Sequence, residues 1–60
     1  MSNPYDQAAV AVVLKVCGRL TAAELAKILH WPRTRVRLAL TALEAAGHVA
    51  HNNRTWEPTK

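Results

Sequence analysis

Arg33, Arg35 and Arg37 place three guanidinium groups within five consecutive residues of this 60-residue chain. A guanidinium group presents its N–H donors as a rigid fork, which binds phosphate oxygens or the O6/N7 edge of guanine through two parallel hydrogen bonds. The whole chain is basic, with eight Lys and Arg residues, four Asp and Glu residues and a net charge of +4. The spacing and the charge both favour a polyanionic partner.

Few residues in the sequence suit other kinds of site. Cys17 is the single cysteine, so it cannot form an internal disulfide, and no cysteine–histidine spacing fits a zinc site. His48 and His51 are three residues apart on an expected strand and so point to opposite faces, which disfavours a shared metal ion. The sequence also shows no nucleophile–base pair, glycine-rich phosphate loop or carboxylate pair. We expect no enzyme activity, metal, cofactor or small-molecule ligand.

The length and composition predict one small domain over residues 1–60. A chain of this size buries only about 60% of the surface that its unfolded form exposes, and many of its apolar residues are alanines. Self-association is one way to add buried surface. The apolar run at 8–14 is too short to span a membrane, and the residues before it do not resemble the charged start of a signal peptide. We therefore expect a cytoplasmic protein.

The first helix is expected at about 4–17. Asn3 is a good N-cap, Pro4 suits the first helical position and Gly18 provides a stop, while Asp6 suits the positive end of the helix dipole. The apolar residues form two stripes at helical spacing, and the pattern leaves open which stripe faces the core. The first stripe contains Val10, Val13, Leu14 and Cys17. The second, expected to be a homodimer interface, contains Tyr5, Ala8, Ala9, Val12 and Val16.

Two further helices are expected before a hairpin. Thr21 and Glu24 have the spacing of a capping box, which predicts a second helix at about 22–29. Pro32 fits the first turn of a third helix at about 32–46, which Gly47 ends. The expected inward residues of the second helix are Leu25, Ile28 and Leu29. Those of the third helix are Val36, Ala39, Leu40, Leu43 and Ala46.

The remaining residues predict a short β-hairpin at about 48–57. Its strands lie at 48–51 and 55–57, and its turn at 52–54 contains two asparagines, which tolerate positive φ. Both tryptophans are interpreted as scaffold. Trp31 occupies the turn between the second and third helices, where an apolar side chain is usually buried. Trp56 is expected to pack beneath the hairpin against the third helix.

The pattern LTAAELAKIL, a turn, PRTRVRLALTALEAAGHV and a hairpin ending in Trp resembles the winged helix-turn-helix superfamily. It covers about two-thirds of the chain. The resemblance implies a mainly α fold with a small β-hairpin (α+β), namely three helices and a wing, as in small bacterial, archaeal and phage transcription regulators. His30 departs from the pattern, because glycine is common at that position of the turn, and a positive φ would strain a non-glycine residue there.

Helix geometry divides the residues of the third helix into a buried side around Val36 and an exposed side opposite it. At about 100° per residue, the side opposite Val36 carries Arg37 and its neighbours, with Arg33 and Arg35 on the flanks. In a helix-turn-helix, early residues of the second helix of the motif meet base edges. We expect Arg37 to bind guanine, Leu38 and Thr41 to meet thymine methyl groups, and the rest to bind phosphate or the minor groove. The expected DNA-binding residues are Arg33, Thr34, Arg35, Arg37, Leu38, Thr41, Asn53 and Arg54.

The resulting hypothesis is a sequence-specific regulator of transcription that binds double-stranded DNA as a homodimer on the nucleoid and represses by occluding a promoter. Its two recognition helices would lie about one DNA turn apart on an inverted repeat. The alternative is a winged-helix protein-interaction module without DNA binding, which would use helix 1 and Leu38. A DNA-binding domain requires Arg33, Arg37 and Arg54 on one continuous surface, whereas an interaction module does not.

The layout is also similar to Z-DNA-binding winged domains, because Trp56 matches the tryptophan that ends their wing. Arg37 and Thr41 replace the asparagine and tyrosine that mark those domains. Residues 53–55 replace their wing prolines. This interpretation therefore lacks its key residues and ranks below the other two.

Overall fold

The computed structural model describes residues 3–59 as three helices and a three-stranded antiparallel sheet. This confirms the α+β class and places each expected helix within one residue of its predicted ends. No helix in this part of the chain is long and apolar enough to cross a membrane. The elements are α1 (Pro4–Cys17), β1 (Leu20–Thr21), α2 (Ala22–Leu29), α3 (Arg33–Ala45), β2 (Val49–Asn52) and β3 (Thr55–Pro58).

Local hydrogen bonds account for the ends of α1. The side chain of Asn3 accepts a 2.8 Å hydrogen bond from the backbone N–H of Asp6, and Pro4 is the first helical residue. Gly18 ends the helix with φ of +84°, and its N–H donates to the carbonyl of Leu14 at 2.7 Å. A side chain at this φ is strained, so glycine is favoured here. The predicted start and stop are both confirmed.

The capping box of α2 is also confirmed. The Thr21 hydroxyl accepts from the backbone N–H of Glu24 at 3.1 Å, and the Glu24 carboxylate accepts from the N–H of Thr21 at 2.8 Å. His30 follows α2 with φ of +59° and ψ of +39°. A left-handed conformation costs a residue with a Cβ atom about 1–2 kcal/mol relative to the right-handed one. The anticipated strain at this turn is therefore present.

The core is small and lies where the three helices meet the sheet. Its centre is a set of fully or nearly fully buried apolar residues: Val10, Leu14, Leu25, Val36, Ala39, Leu40, Leu43 and Val49. Val10 and Leu14 show that the first stripe of α1 faces inward. The second stripe does not join the core.

Two expectations about inward residues were wrong. Ile28 is 47% exposed because the buried side of α2 runs through Leu25 and Leu29, and Ile28 falls outside that arc. Cys17, for which no inward position was predicted, is also exposed because it is the last residue of α1. Ala46 is exposed because α3 ends at Ala45 and the chain then turns away.

The strand β1 was not anticipated, because two residues are too few to show an alternating pattern. It pairs with β3, which also pairs with β2, so the order in the sheet is β1-β3-β2. Leu20 faces Trp56 and Thr21 faces Thr55 in this register. The hairpin, expected at 48–57, lies at 49–58. Through β1 it is attached directly to the start of α2.

Candidate nucleic-acid interface

A groove of about 470 Å³ lies between the start of α2, the first half of α3 and the hairpin. Arg33 and Arg37 line it from α3, and Arg54 lines it from the hairpin turn. We call it the arginine groove. Its complete lining is Thr21, Ala22, Ala23, Arg33, Arg37, His51, Asn53, Arg54 and Trp56.

The fold fixes the distance between these arginines. Arg33 and Arg37 are four residues apart on α3 and therefore lie one above the other on the same side of the helix. Arg54 belongs to the two-residue turn between β2 and β3, next to Thr55. Thr55 pairs with Thr21, which in turn caps α2. The hairpin turn is thus tied through Thr21 to the helix pair that carries the other two arginines.

The positive charge of the arginine groove is not neutralised within residues 3–59. Arg33, Arg37 and Arg54 form no ion pair there, and no acidic residue lines the groove. Asp6 and Glu57 instead pair with two other arginines, outside the groove. Three unpaired guanidinium groups around one groove repel one another, and a bound polyanion would relieve this repulsion.

A second hollow, of about 260 Å³, lies on the outer side of α3. It brings together the four residues that helix geometry placed opposite Val36. Leu38, 46% exposed, is the apolar member of this set. Arg37 lines both the hollow and the arginine groove, so the two form one surface. The lining of the hollow is Thr34, Arg37, Leu38 and Thr41.

The hairpin wall of the arginine groove contains a stacked aromatic pair. The rings of His51 and Trp56 lie 4.1 Å apart between centroids and are parallel to within 6°. Trp56 also packs against the core. His51 was not among the expected site residues. The predicted three-residue turn at 52–54 would place residue 51 opposite residue 55. The turn in the structure has only two residues, 53–54, and therefore places residue 51 opposite residue 56.

Arg35 lies apart from the arginine groove and is held by two partners. Its Nε and one terminal nitrogen donate to the two carboxylate oxygens of Asp6, at 2.9 and 2.8 Å. Its guanidinium carbon also lies 3.9 Å from the centroid of the Trp31 ring, which is a cation–π distance. We call this the Asp6–Arg35–Trp31 cluster. Trp31 is half-buried and packs against the core, as expected of a turn residue.

The ion pair stabilises the charged form of the Asp6 carboxyl. Hydrogen bonding from Arg35 lowers the pKa of the Asp6 carboxyl below its ordinary value of 3.8, and the positive charge of Arg35 lowers it further. Partial burial raises the pKa of Asp6, an effect that is smaller than that of the hydrogen bonding but larger than that of the Arg35 charge. The Asp6 side chain is only 9% exposed, and Arg35 supplies hydrogen bonds that favour its charged form.

A third groove, of about 380 Å³, lies between α1 and the sheet, away from the arginines. Lys15 and His48 stand among mostly apolar neighbours there. Within residues 3–59, no group of three or more His, Cys, Asp or Glu side chains is placed to hold a metal ion. The arginine groove and the adjoining face of α3 are therefore the part of the surface with the most distinctive chemistry.

The chain matches no protein-family model, no curated protein and no solved structure. What it binds must therefore be inferred from the arginine groove and its surroundings.

Proposed function

We propose that this chain is a winged helix-turn-helix domain that binds double-stranded DNA sequence-specifically and regulates transcription. In this proposal α3 enters the major groove, and the hairpin contacts the flanking backbone or minor groove. One observation carries the proposal. Arg33, Arg37 and Arg54 form no ion pair within residues 3–59 and lie on one surface that continues onto the outer side of α3.

The outer side of α3 has suitable dimensions and chemistry for base recognition. An α-helix with its side chains is about 10–12 Å across, and the major groove of B-DNA is about 12 Å wide. Arg37 lies at the centre of the surface and has the donor geometry to bind guanine O6 and N7. Leu38 and Thr41 offer methyl groups beside it for contact with thymine. A G·C pair next to a T·A pair is the sequence that this arrangement favours.

The rest of the surface suits the DNA backbone. Arg33 and Thr34 at the start of α3 are placed for phosphates, and Asn53 and Arg54 for phosphates or the minor groove. Residues 22–23, in the first turn of α2, also line the arginine groove. Their N–H groups have no intrahelical acceptor and lie at the positive end of the helix dipole, where anions bind favourably.

Arg35 was an expected DNA-binding residue, but it is not among the DNA contacts that we propose. Its guanidinium group is engaged by Asp6 and Trp31, so moving it to a phosphate would strip Asp6 of its partner. Arg35 instead holds α3 against α1. We further propose that the domain represses by occupying a promoter on the nucleoid, which requires no contact beyond the surface described.

The test is a measurement of DNA affinity by fluorescence anisotropy across a salt series. A mixed-sequence duplex first establishes the electrostatic contribution, for which log K falls with log salt by about 0.9 for each phosphate that the protein neutralises. A cognate duplex selected from a random library then tests base recognition. On that duplex, Arg37→Ala is expected to cost about 1–3 kcal/mol and to relax the preference at one base pair.

Lys15→Ala is the matched control, because it removes one positive charge from α1 outside the arginine groove. We expect this variant to bind like the wild type. An equal loss for Lys15→Ala and Arg37→Ala would mean that only net charge matters. No duplex binding by the wild type at low salt would overturn the proposal in favour of a protein-interaction module.

A further inference from the structure

The outer face of α1 is an apolar surface that nothing in residues 3–59 covers. Tyr5, Val12 and Val16 are 84%, 60% and 79% exposed, and they are three of the five large hydrophobic side chains exposed in the fold. Ala8 is exposed beside them and Ala9 is half-buried. Lys15, seven residues after Ala8 and exposed, lies at the edge of this face, whose central positions are apolar. We call it the α1 outer face.

We propose that the α1 outer face pairs with the same face of a second copy of this chain, in antiparallel orientation about a two-fold axis. The argument comes from spacing. Tyr5, Ala9, Val12 and Val16 follow one another at intervals of four, three and four residues, which is the spacing of a two-helix seam. This order is the same in both directions, so an antiparallel copy places like intervals opposite each other.

Each pair in this arrangement contains one valine. Tyr5 of one copy faces Val16 of the other, and Ala9 faces Val12. Each contact occurs twice, as a two-fold interface requires. The small side chain of Ala9 allows the two helices to approach within the 8–10 Å that packed helices adopt. The alternative parallel arrangement would instead stack Tyr5 on Tyr5 and leave facing alanines at residue 9.

The α1 outer face and the arginine groove lie on different parts of the protein surface. Val10 and Leu14, on the opposite side of α1, pack in the core together with Val36 and Leu40 of α3. The outer sides of α1 and α3 therefore both point away from the core, and pairing through α1 leaves the outer side of α3 free in each copy. The proposed dimer does not depend on DNA binding, and its test needs no DNA.

The face is small, so the dimer should be weak. Its apolar residues span 11 steps of 1.5 Å, or about 16 Å, along α1. A standard stable interface buries about 800 Å² per partner, and smaller interfaces belong to transient complexes. The neighbouring groove between α1 and the sheet adds some apolar surface through Ala8 and Ala11. We expect weak, reversible pairing, in keeping with an interface at the low end of this size range.

Sedimentation velocity from about 5 μM to 1 mM measures this equilibrium directly. The mass of the wild type should rise from 6.6 kDa towards twice that value. Val12→Glu should remain monomeric throughout, because it places a charge at the centre of the seam. Ile28→Glu is the matched control, since Ile28 is similarly exposed but lies on α2. A wild type that stays monomeric at 1 mM, or equal effects of the two variants, would overturn the proposal.

Disulfide mapping tests the antiparallel register. In a Cys17→Ser background, Tyr5→Cys and Val16→Cys proteins are oxidised separately and as a mixture. Antiparallel pairing brings residues 5 and 16 together and holds the two copies of residue 5 about 16 Å apart, too far for a disulfide. The mixture should therefore crosslink several-fold more than either protein alone. Homotypic crosslinks of equal or higher yield would overturn the register, and circular dichroism of each variant confirms that it is folded.

Discussion

The arginine groove and the Asp6–Arg35–Trp31 cluster both contain arginine side chains, but in opposite electrostatic environments. In the cluster, one guanidinium group has a bidentate carboxylate partner and a tryptophan ring beneath it. In the groove, three guanidinium groups have no acidic partner within the described residues. On α3 the two regions alternate, because Arg35 lies between Arg33 and Arg37 and is two residues from each.

This contrast separates a stabilising arginine from binding arginines. A paired, partly buried arginine has its hydrogen-bond donors satisfied and gains little from a phosphate. An unpaired arginine at a groove gains charge-assisted hydrogen bonds only when an anion arrives. Substitutions in the cluster should therefore change the stability of the fold, and substitutions in the groove should change affinity for DNA.

The largest effect is expected from removing all three groove arginines. The variant R33A/R37A/R54A should lose at least about 100-fold in affinity for duplex DNA. Its log–log salt slope should become shallower by about 2–3, because each phosphate that is no longer neutralised removes about 0.9 from the slope. Its thermal midpoint should stay the same or rise, because three mutually repelling charges are removed. Anisotropy titrations and thermal melts measure the two quantities on one preparation.

Arg35→Ala should show the opposite pattern. It leaves the Asp6 carboxylate nearly buried and without its partner, so the thermal midpoint should fall by several degrees while the salt slope of DNA binding stays unchanged. The double variant D6A/R35A should recover part of the loss, because it no longer buries an unpaired charge. If Arg35→Ala lowers the salt slope as much as Arg37→Ala does, the separation of the two regions is wrong.

The same cluster predicts an acid-sensitive component of stability. The pKa of Asp6 lies below 3.8 in the fold, so the unfolded chain takes up a proton first as the pH falls. The stabilisation is fully present above about pH 3.8 and is lost as the pH falls through the folded-state pKa. Urea unfolding from pH 7 to pH 2 should therefore show a steeper acid loss for wild type than for Asp6→Asn. Parallel curves for the two proteins would contradict this assignment, since the glutamates titrate equally in both.

Local sequence signals predicted most of the secondary structure. The helix ends depend on hydrogen bonds and φ angles within a few residues, so they can be predicted from the local sequence. The signals are Asn3, the capping box at Thr21 and the glycines after α1 and α3. The outer side of α3 was equally predictable, because helical periodicity alone places Thr34, Arg37, Leu38 and Thr41 together.

Contacts between distant residues could not be predicted in this way. Asp6 and Arg35 are 29 residues apart, and each has a plausible local role, at a helix dipole and at a phosphate respectively. Only the packing of α1 against α3 brings them together. The pairing of Leu20 with Trp56 could not be predicted for the same reason. A two-residue strand shows no alternating pattern, and its partner strand lies far along the chain.

The smallest predicted effect comes from removing the ring that stacks on Trp56. The two tryptophans differ in what lies against them. Trp31 lies under a charged guanidinium group, whereas Trp56 is stacked with His51. His51→Ala should lower the free energy of unfolding by about 0.5–1.5 kcal/mol, the usual contribution of an aromatic pair. Because the stack forms the hairpin wall of the arginine groove, DNA affinity should also fall a few-fold.

His51→Phe distinguishes packing from hydrogen bonding at this position. Phenylalanine preserves the stack on Trp56 but has no ring nitrogen, so it should retain the stability that His51→Ala loses. If DNA affinity is also retained, His51 acts by holding the hairpin wall in place. If His51→Phe is as stable as wild type but binds DNA as weakly as His51→Ala, then the imidazole itself contacts DNA. The arginine groove would then have a fourth polar DNA contact beside its three arginines, whereas the Asp6–Arg35–Trp31 cluster has none.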